Sequence, residues 1–202
     1  MILVVTGGIG SGKSTVCNML RDNYGFPVYE ADSKAKELYD RYPDLLASIE
    51  STAGRSLRDS EGCFQPSSLA EIIFSDRRLL EQVEDLLFPV LKEDFEAWRK
   101  DHHDSPHHVF ESATILEKPQ FEGFGDLVLL VDAPFVLRLE RASSRSNAKE
   151  DVIRQRMQNQ ILMNQFSDGL YDDRIDHVII NDGSISDLSR NVADFIEKYS
   201  LT

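Results

Sequence analysis

The sequence predicts an α/β fold built on a parallel sheet, and three observations predict it. Five short apolar runs, rich in leucine and β-branched residues, are spread along the chain at 2–6, 28–30, 109–112, 127–132 and 177–181. Stretches of helical periodicity separate them, so strand and helix alternate. Within each run the apolar residues are nearly continuous rather than alternating, as in strands covered on both faces.

The first run leads directly into Gly7-Gly8-Ile9-Gly10-Ser11-Gly12-Lys13-Ser14-Thr15. This stretch fits the pattern G-x-x-x-x-G-K-[ST] and lies between a strand and a helix predicted over 14–24, the context that the pattern requires. Glycines let backbone N–H groups curl around an anion, and the helix start adds the positive end of its dipole. Lys13 is a compact cation for β- and γ-phosphates, and the Ser14 hydroxyl is an oxygen ligand of the kind Mg²⁺ takes. Gly8, Gly10, Ser11, Gly12, Lys13, Ser14 and Thr15 are therefore the candidate nucleotide-binding residues.

The second run closes on Glu30-Ala31-Asp32, and Ala35, Leu38 and Tyr39 begin a helical pattern. A carboxylate at Asp32 stands at the strand end, the edge where open α/β sheets bind ligands. It has two available roles: N-cap of the following helix, or a base for an acceptor hydroxyl. From there to residue 108 no strand is predicted. Ser68 and Glu71 suggest a capping box, followed by apolar faces at Leu69, Ile72 and Ile73, at Leu79, Leu80, Val83, Leu86 and Leu87, and at Val90, Leu91 and Phe95. These describe a helical insertion, either holding an acceptor or purely structural.

The third run carries Glu111 near its end, read as a strand-terminal surface carboxylate or a substrate contact. The fourth ends in Asp132, read as a water-mediated Mg²⁺ ligand or a helix N-cap before Pro134. The segment 134–171 is basic within an acidic chain, with Arg138, Arg141, Arg145, Arg154 and Arg156. It is either a solvated face or a lid whose guanidinium groups close over phosphate. Asn147 and Glu150 suggest a cap for a helix carrying Val152, Ile153, Met157 and Gln160.

Composition narrows the function classes. At 202 residues the chain supports one sizeable core plus a small insertion. No apolar run approaches the roughly 20 residues of a membrane-spanning helix, and no secretion signal opens the chain, which points to the cytoplasm. A formal net charge of −13 argues against a general nucleic-acid surface. Cys17 and Cys63 have no metal or disulfide spacing, and Cys17 is expected inside the first helix as a small buried group. Histidines 102, 103, 107 and 108 sit in a polar loop where adjacent rings seldom converge on one ion, and Trp98 is expected to pack. The guanine-reading N-K-x-D pattern is absent, and Asp22-Asn23-Tyr24-Gly25 stands too near the loop to serve as a switch. A small phosphate-loop chain with an insertion and an arginine-rich segment suits phosphoryl transfer to a small metabolite.

The combination of motifs resembles the dephospho-coenzyme A kinase family along nearly the whole chain. It is carried by Thr6 through Val16, Ala31-Asp32, Ile72-Ile73-Phe74, Phe88-Pro89-Val90, Leu130 through Pro134 with Arg141 and Arg145, Gln160, and Asn181-Asp182-Gly183. The resemblance implies a single P-loop NTPase-fold kinase domain with a five-stranded parallel core at about 1–32, 107–133 and 172–202. A helical acceptor-binding insertion would span about 33–106 and a lid about 134–171. It implies ATP and Mg²⁺ as cofactors, dephospho-coenzyme A as acceptor, a cytoplasmic monomer or weak homo-oligomer, and no nucleic acid or membrane partner. Asp32 would be the base, Lys13 and Ser14 the phosphate and metal contacts, and Arg145 a lid cation assisted by Arg141. Asn181 would fall beside the adenine. This chain has Phe88, Ala113 and Ser146 where the family commonly has other residues. Alternatives are a nucleoside monophosphate kinase and a non-enzymatic nucleotide-binding regulatory module.

Overall fold

Strand β1 (Ile2–Thr6) occupies the centre of a five-stranded sheet of order β2-β3-β1-β4-β5. The others are β2 (Val28–Glu30), β3 (His108–Glu111), β4 (Leu127–Asp132) and β5 (His177–Ile180). The computed structural model describes residues 1–73, 76–145, 150–160 and 171–201. β1 pairs in parallel with β3 and β4, and β4 with β5. The third and fifth strands end one residue earlier than the sequence predicts, and the third begins at His108. Their hydrogen bonding nevertheless continues past the ends, Ser112 N–H donating to Val5 O at 3.1 Å and Asn181 N–H to Asp132 O at 2.7 Å.

The helices are α1 (Lys13–Tyr24), α2 (Ala31–Arg41), α3 (Pro43–Ala53) and α4 (Pro66–Ile73). They continue with α5 (Arg77–Asp101), α6 (Phe135–Arg145), α7 (Glu150–Gln158) and α8 (Ile185–Lys198). The chain divides into two compact units, Met1–Tyr29 with His103–Thr202, and Glu30–His102.

In the first unit the sheet is covered on both faces, which is why its strands do not alternate. Leu3, Val5, Leu129 and Val131 meet Val16 and Leu20 of α1 and Leu188, Val192 and Phe195 of α8. On the β3 side Tyr29 stacks on Phe110 at 5.5 Å, and Phe124 meets the same ring edge-on at 4.9 Å. Cys17 is buried in the α1 side of this core. Helix α8 starts with a capping box between Ser184 and Asp187, which satisfies backbone donors at both ends of the turn.

The second unit is helical. Helix α5 begins at Asp76, whose carboxylate accepts from Arg78 N–H at 2.9 Å and Leu79 N–H at 3.1 Å. It runs unbroken through Pro89, so the apolar faces at 79–87 and 90–95 belong to one helix of 25 residues. Helix α4 starts at Pro66, a favoured first-turn residue, so Ser68 and Glu71 lie inside it and form no capping box. Arg41 of α2 pairs with the buried Asp94 of α5. Burial, reinforced by Glu84, pushes the Tyr39 phenol up to about 12, and its ring lies 4.7 Å from Phe64. Trp98 packs between Phe95 at 5.8 Å and His102 at 4.2 Å. Asn147 and Ser146 lie outside the described residues. Among the described residues no helix is long and apolar enough to cross a membrane.

Candidate active site around the phosphate loop

β1 delivers the chain to its carboxyl edge, where residues 7–12 turn back into α1. Gly10 and Gly12 are among the loop glycines that geometry requires. Gly10 has φ 79°, and a Cβ there would run into the backbone carbonyl of Arg138. Gly12 has φ 104° as the N-cap of α1, and a Cβ there would strike the Asn181 amide. Among the described residues no side chain caps α1, and its first turn holds no acidic residue, which leaves terminal donors for an anion.

Three separate segments grip the loop. Gln160 Oε1 accepts from Ile9 N–H at 2.8 Å. The buried Asn181 donates from Nδ2 to Ser11 O at 2.8 Å. Ile9 packs its side chain against the small cluster that joins α6 to α7, formed by Leu139, Ala142, Ile153 and Met157. Within the loop, Ser11 N–H donates to Gly8 O at 3.1 Å, while Thr15 and Val16 N–H groups donate to Gly12 O. Lys13 Nζ lies 3.4 Å from Gly8 O and 3.7 Å from Glu111 Oε1. Glu111 is 9% exposed. The expectation of a surface carboxylate is therefore corrected, because the parallel register sets Glu111 level with Val5 beside the loop.

Arg141 donates from Nη1 to Asn181 O at 3.0 Å, tying α6 to the residue that anchors the loop. Arg145, one turn on and exposed, donates from Nε to Arg141 O at 3.2 Å. Arg138, one turn earlier on the same face, is buried, with Nη1 3.8 Å from Asp132 Oδ1. Burial draws the Arg138 guanidinium down from its ordinary value, with Asp132 opposing. Burial likewise raises the Asp132 carboxyl, against the Ala133 N–H bond and Arg138. Asp132 is not an N-cap, since α6 begins three residues later; it accepts from Ala133 N–H at 2.8 Å.

The structure thus gathers Gly8, Gly10, Ser11, Gly12, Lys13, Arg141 and Asn181 in one place, with Ser14 and Thr15 opening the helix. Asp32 belongs to the helical unit, in the first turn of α2; the N-cap there is Glu30, so the capping role expected of Asp32 is corrected. From sequence, Arg138 was one of five arginines of a solvated face or a lid, and Glu111 a surface carboxylate or a substrate contact; neither was set against the loop. The spacing of Arg138, Arg141 and Arg145 at i, i+3 and i+7 is the signal that places all three on one helix face. Among the described residues no three His, Cys, Asp or Glu side chains form a metal-binding group.

A family model described as dephospho-CoA kinase matches residues 1–187. A dephospho-CoA kinase of Porphyromonas gingivalis is 38% identical over 177 residues, covering 88% of this chain and 84% of the relative. That of Salinibacter ruber is 32% identical over 194 residues, covering 95% and 94%. A solved Thermus thermophilus structure superposes with a TM-score of 0.78 at 27% identity, covering 98% of this chain and 97% of that one. An Acinetobacter baumannii shikimate kinase shares the fold at a TM-score of 0.55 and 16% identity, covering 100% and 95%. With its phosphate loop, five-stranded parallel sheet and near-complete match, this chain belongs to the dephospho-CoA kinase family.

Proposed function

We propose that the chain transfers the γ-phosphoryl group of ATP to the ribose 3′-hydroxyl of dephospho-coenzyme A, giving coenzyme A and ADP. The observation that carries this reading is the loop at residues 7–15, held open at a bare helix start by Gln160 and Asn181, in a chain that matches the family over residues 1–187. The backbone N–H groups of Gly10, Gly12, Lys13 and Ser14 receive the β- and γ-phosphates, while those of Ile9, Ser11 and Thr15 hold the loop itself. Lys13 exchanges its contacts with Gly8 O and Glu111 for phosphate oxygens. Arg145 and Arg141, on the same helix face, supply positive charge to the transferring group. Asn181 sets the wall of the loop on the side where the adenine lies.

In the transfer itself the acceptor oxygen forms a bond to the γ-phosphorus as the bond to the β–γ bridging oxygen breaks. Asp32 takes the hydroxyl proton, and ADP leaves with the bridging oxygen. The chemistry asks mainly for placement and charge neutralisation. Mg²⁺ fits this chain through Ser14 Oγ, with the nucleotide supplying other oxygens, as suits an ion that keeps few protein ligands. When bound, it neutralises charge on the β- and γ-phosphates. The setting is cytoplasmic, and the partners are the two small substrates.

The test is incubation of the purified chain with Mg-ATP and a panel of dephospho-coenzyme A, AMP and shikimate, scored by mass. Phosphorylation of dephospho-coenzyme A alone is expected; preference for another acceptor overturns the assignment. Asp32→Asn is expected to lower turnover by roughly two to four orders of magnitude, the scale of a general base, with ATP binding kept. Near-normal turnover removes Asp32 from the mechanism.

A further inference from the structure

Behind the phosphate loop lies a buried cation to which phosphoryl transfer, as described, gives no part. Arg138 is 4% exposed, and among the described residues neither its Nε nor its Nη1 has a hydrogen-bond partner. Asp132 Oδ1 is 3.8 Å from Nη1, beyond hydrogen-bond length. Nη1 presses against the loop so closely at Gly8 that a Cβ there would collide with it, and the Arg138 carbonyl does the same at Gly10. The Phe135 ring, 6.0 Å from the guanidinium carbon, closes another side and carries Arg154 at 5.8 Å. Gln160 Oε1, which accepts from Ile9 N–H, lies 3.5 Å from where a Gly8 Cβ would stand.

A desolvated guanidinium with two unpaired donors destabilises a fold, and an apolar side chain of similar length would not. Its contacts with the loop indicate what offsets that cost. Lys13, the loop's own cation, lies near Glu111, and the chain as a whole is strongly acidic. A charge fixed behind the loop in a poorly screened interior acts on a phosphate group without touching it.

We propose that Arg138 is a positioning residue of the phosphate site, holding the Gly8–Gly10 wall from behind and adding a permanent positive field to the cradle, with Asp132 as its counter-charge. This rests on the assignment of the loop to the ATP phosphates. It predicts opposite movements of stability and anion affinity. Arg138→Met combined with Asp132→Asn, which removes both charges of the pair, leaves thermal stability unchanged or raised, yet Arg138→Met binds polyphosphate less tightly.

The experiment titrates the full chain with inorganic tripolyphosphate in chelator, so that no metal contributes, by calorimetry at low and high salt. Thermal unfolding without ligand is measured beside it. Arg138→Met is expected to bind about tenfold more weakly, the effect of one poorly screened charge. Most of that loss should persist at high salt. Arg138→Lys should recover most of the affinity, and Asp132→Asn should bind more tightly than the parent. If Arg138→Met does not fold, Arg138→Gln, which keeps donors but no charge, is compared with Arg138→Lys; weaker binding by the glutamine variant supports the proposal. Wild-type affinity in the methionine or glutamine variant overturns it, as does a loss that lysine fails to rescue. Lys13→Ala separates the two levels: undiminished binding there refutes the loop assignment itself, whereas weak binding there with full affinity in Arg138→Met refutes the role of Arg138 alone.

Discussion

Asn181→Asp is nearly isosteric, yet it should unseat the phosphate loop. Asn181 is 8% exposed, and its amide donates to Ser11 O at 2.8 Å. A carboxylate in the same position turns that donor into an acceptor facing another acceptor. The cost is that of leaving a buried carbonyl without its partner, about 1–3 kcal/mol. For a chain of this size each kcal/mol moves the unfolding midpoint by roughly 2–4 °C, so a drop of about 2–12 °C is expected near neutral pH. The introduced negative charge also stands beside the phosphate cradle, so ATP binding should weaken further than stability alone implies. Facing a carbonyl in a buried place, the new carboxyl group titrates above its unfolded value. Stability is then present below that unfolded value and lost as pH rises through the raised folded one. Calorimetric unfolding of parent and variant at pH 5 and pH 8 measures the effect. A variant as stable as the parent at pH 8, with the same affinity for ATP, would show that no donor at 181 holds the loop and would refute the reasoning.

Gly10→Ala should abolish nucleotide binding, because an alanine at φ 79° costs about 1–2 kcal/mol and its Cβ has only the Arg138 carbonyl to occupy; wild-type ATP titration would contradict this. Glu111→Gln removes the carboxylate beside Lys13 and is expected to tighten tripolyphosphate binding severalfold, whereas weaker binding would make Glu111 a support for Lys13 instead of its competitor. Arg174 holds the Asp172 carboxyl down to about 2, from an ordinary 3.8, chiefly by side-chain hydrogen bonding. The stabilisation from that pair is therefore complete above the ordinary value and is lost as pH falls from about 4 to about 2. Asp172→Asn should flatten the unfolding midpoint across that window, and parallel acid profiles for variant and parent would count against the pairing.

How far the sequence revealed all this depends on whether each signal is local. The loop and β1 are legible because a strand, a glycine pattern and a helix follow one another without interruption. Helix α5 was legible only in pieces, since Pro89 reads as a boundary, while the cap at Asp76 and the apolar stripe on both sides carry the helix through it. Capping at Ser68 and Glu71 was misplaced because Pro66, two residues earlier, already serves as a first-turn residue. Glu111 was noticed but not set beside Lys13, because in a strand covered on both faces no alternation distinguishes an inward carboxylate, and Lys13 is remote in sequence. Arg138 was visible as one member of a basic run, but its burial against Gly8 is a tertiary fact. Asn181 was placed at the nucleotide by resemblance; that its amide is engaged with Ser11 O, 170 residues away in the chain, required coordinates.

The long reach of that bond has a consequence for biosynthesis. A ribosome makes the glycine-rich stretch well before the groups that brace it, Arg138, Gln160 and Asn181. Nascent chains halted before residue 181 would carry the nucleotide signature without a working grip on ATP. A grip on phosphate that depends on these contacts thus waits for residues made more than a hundred positions after the loop.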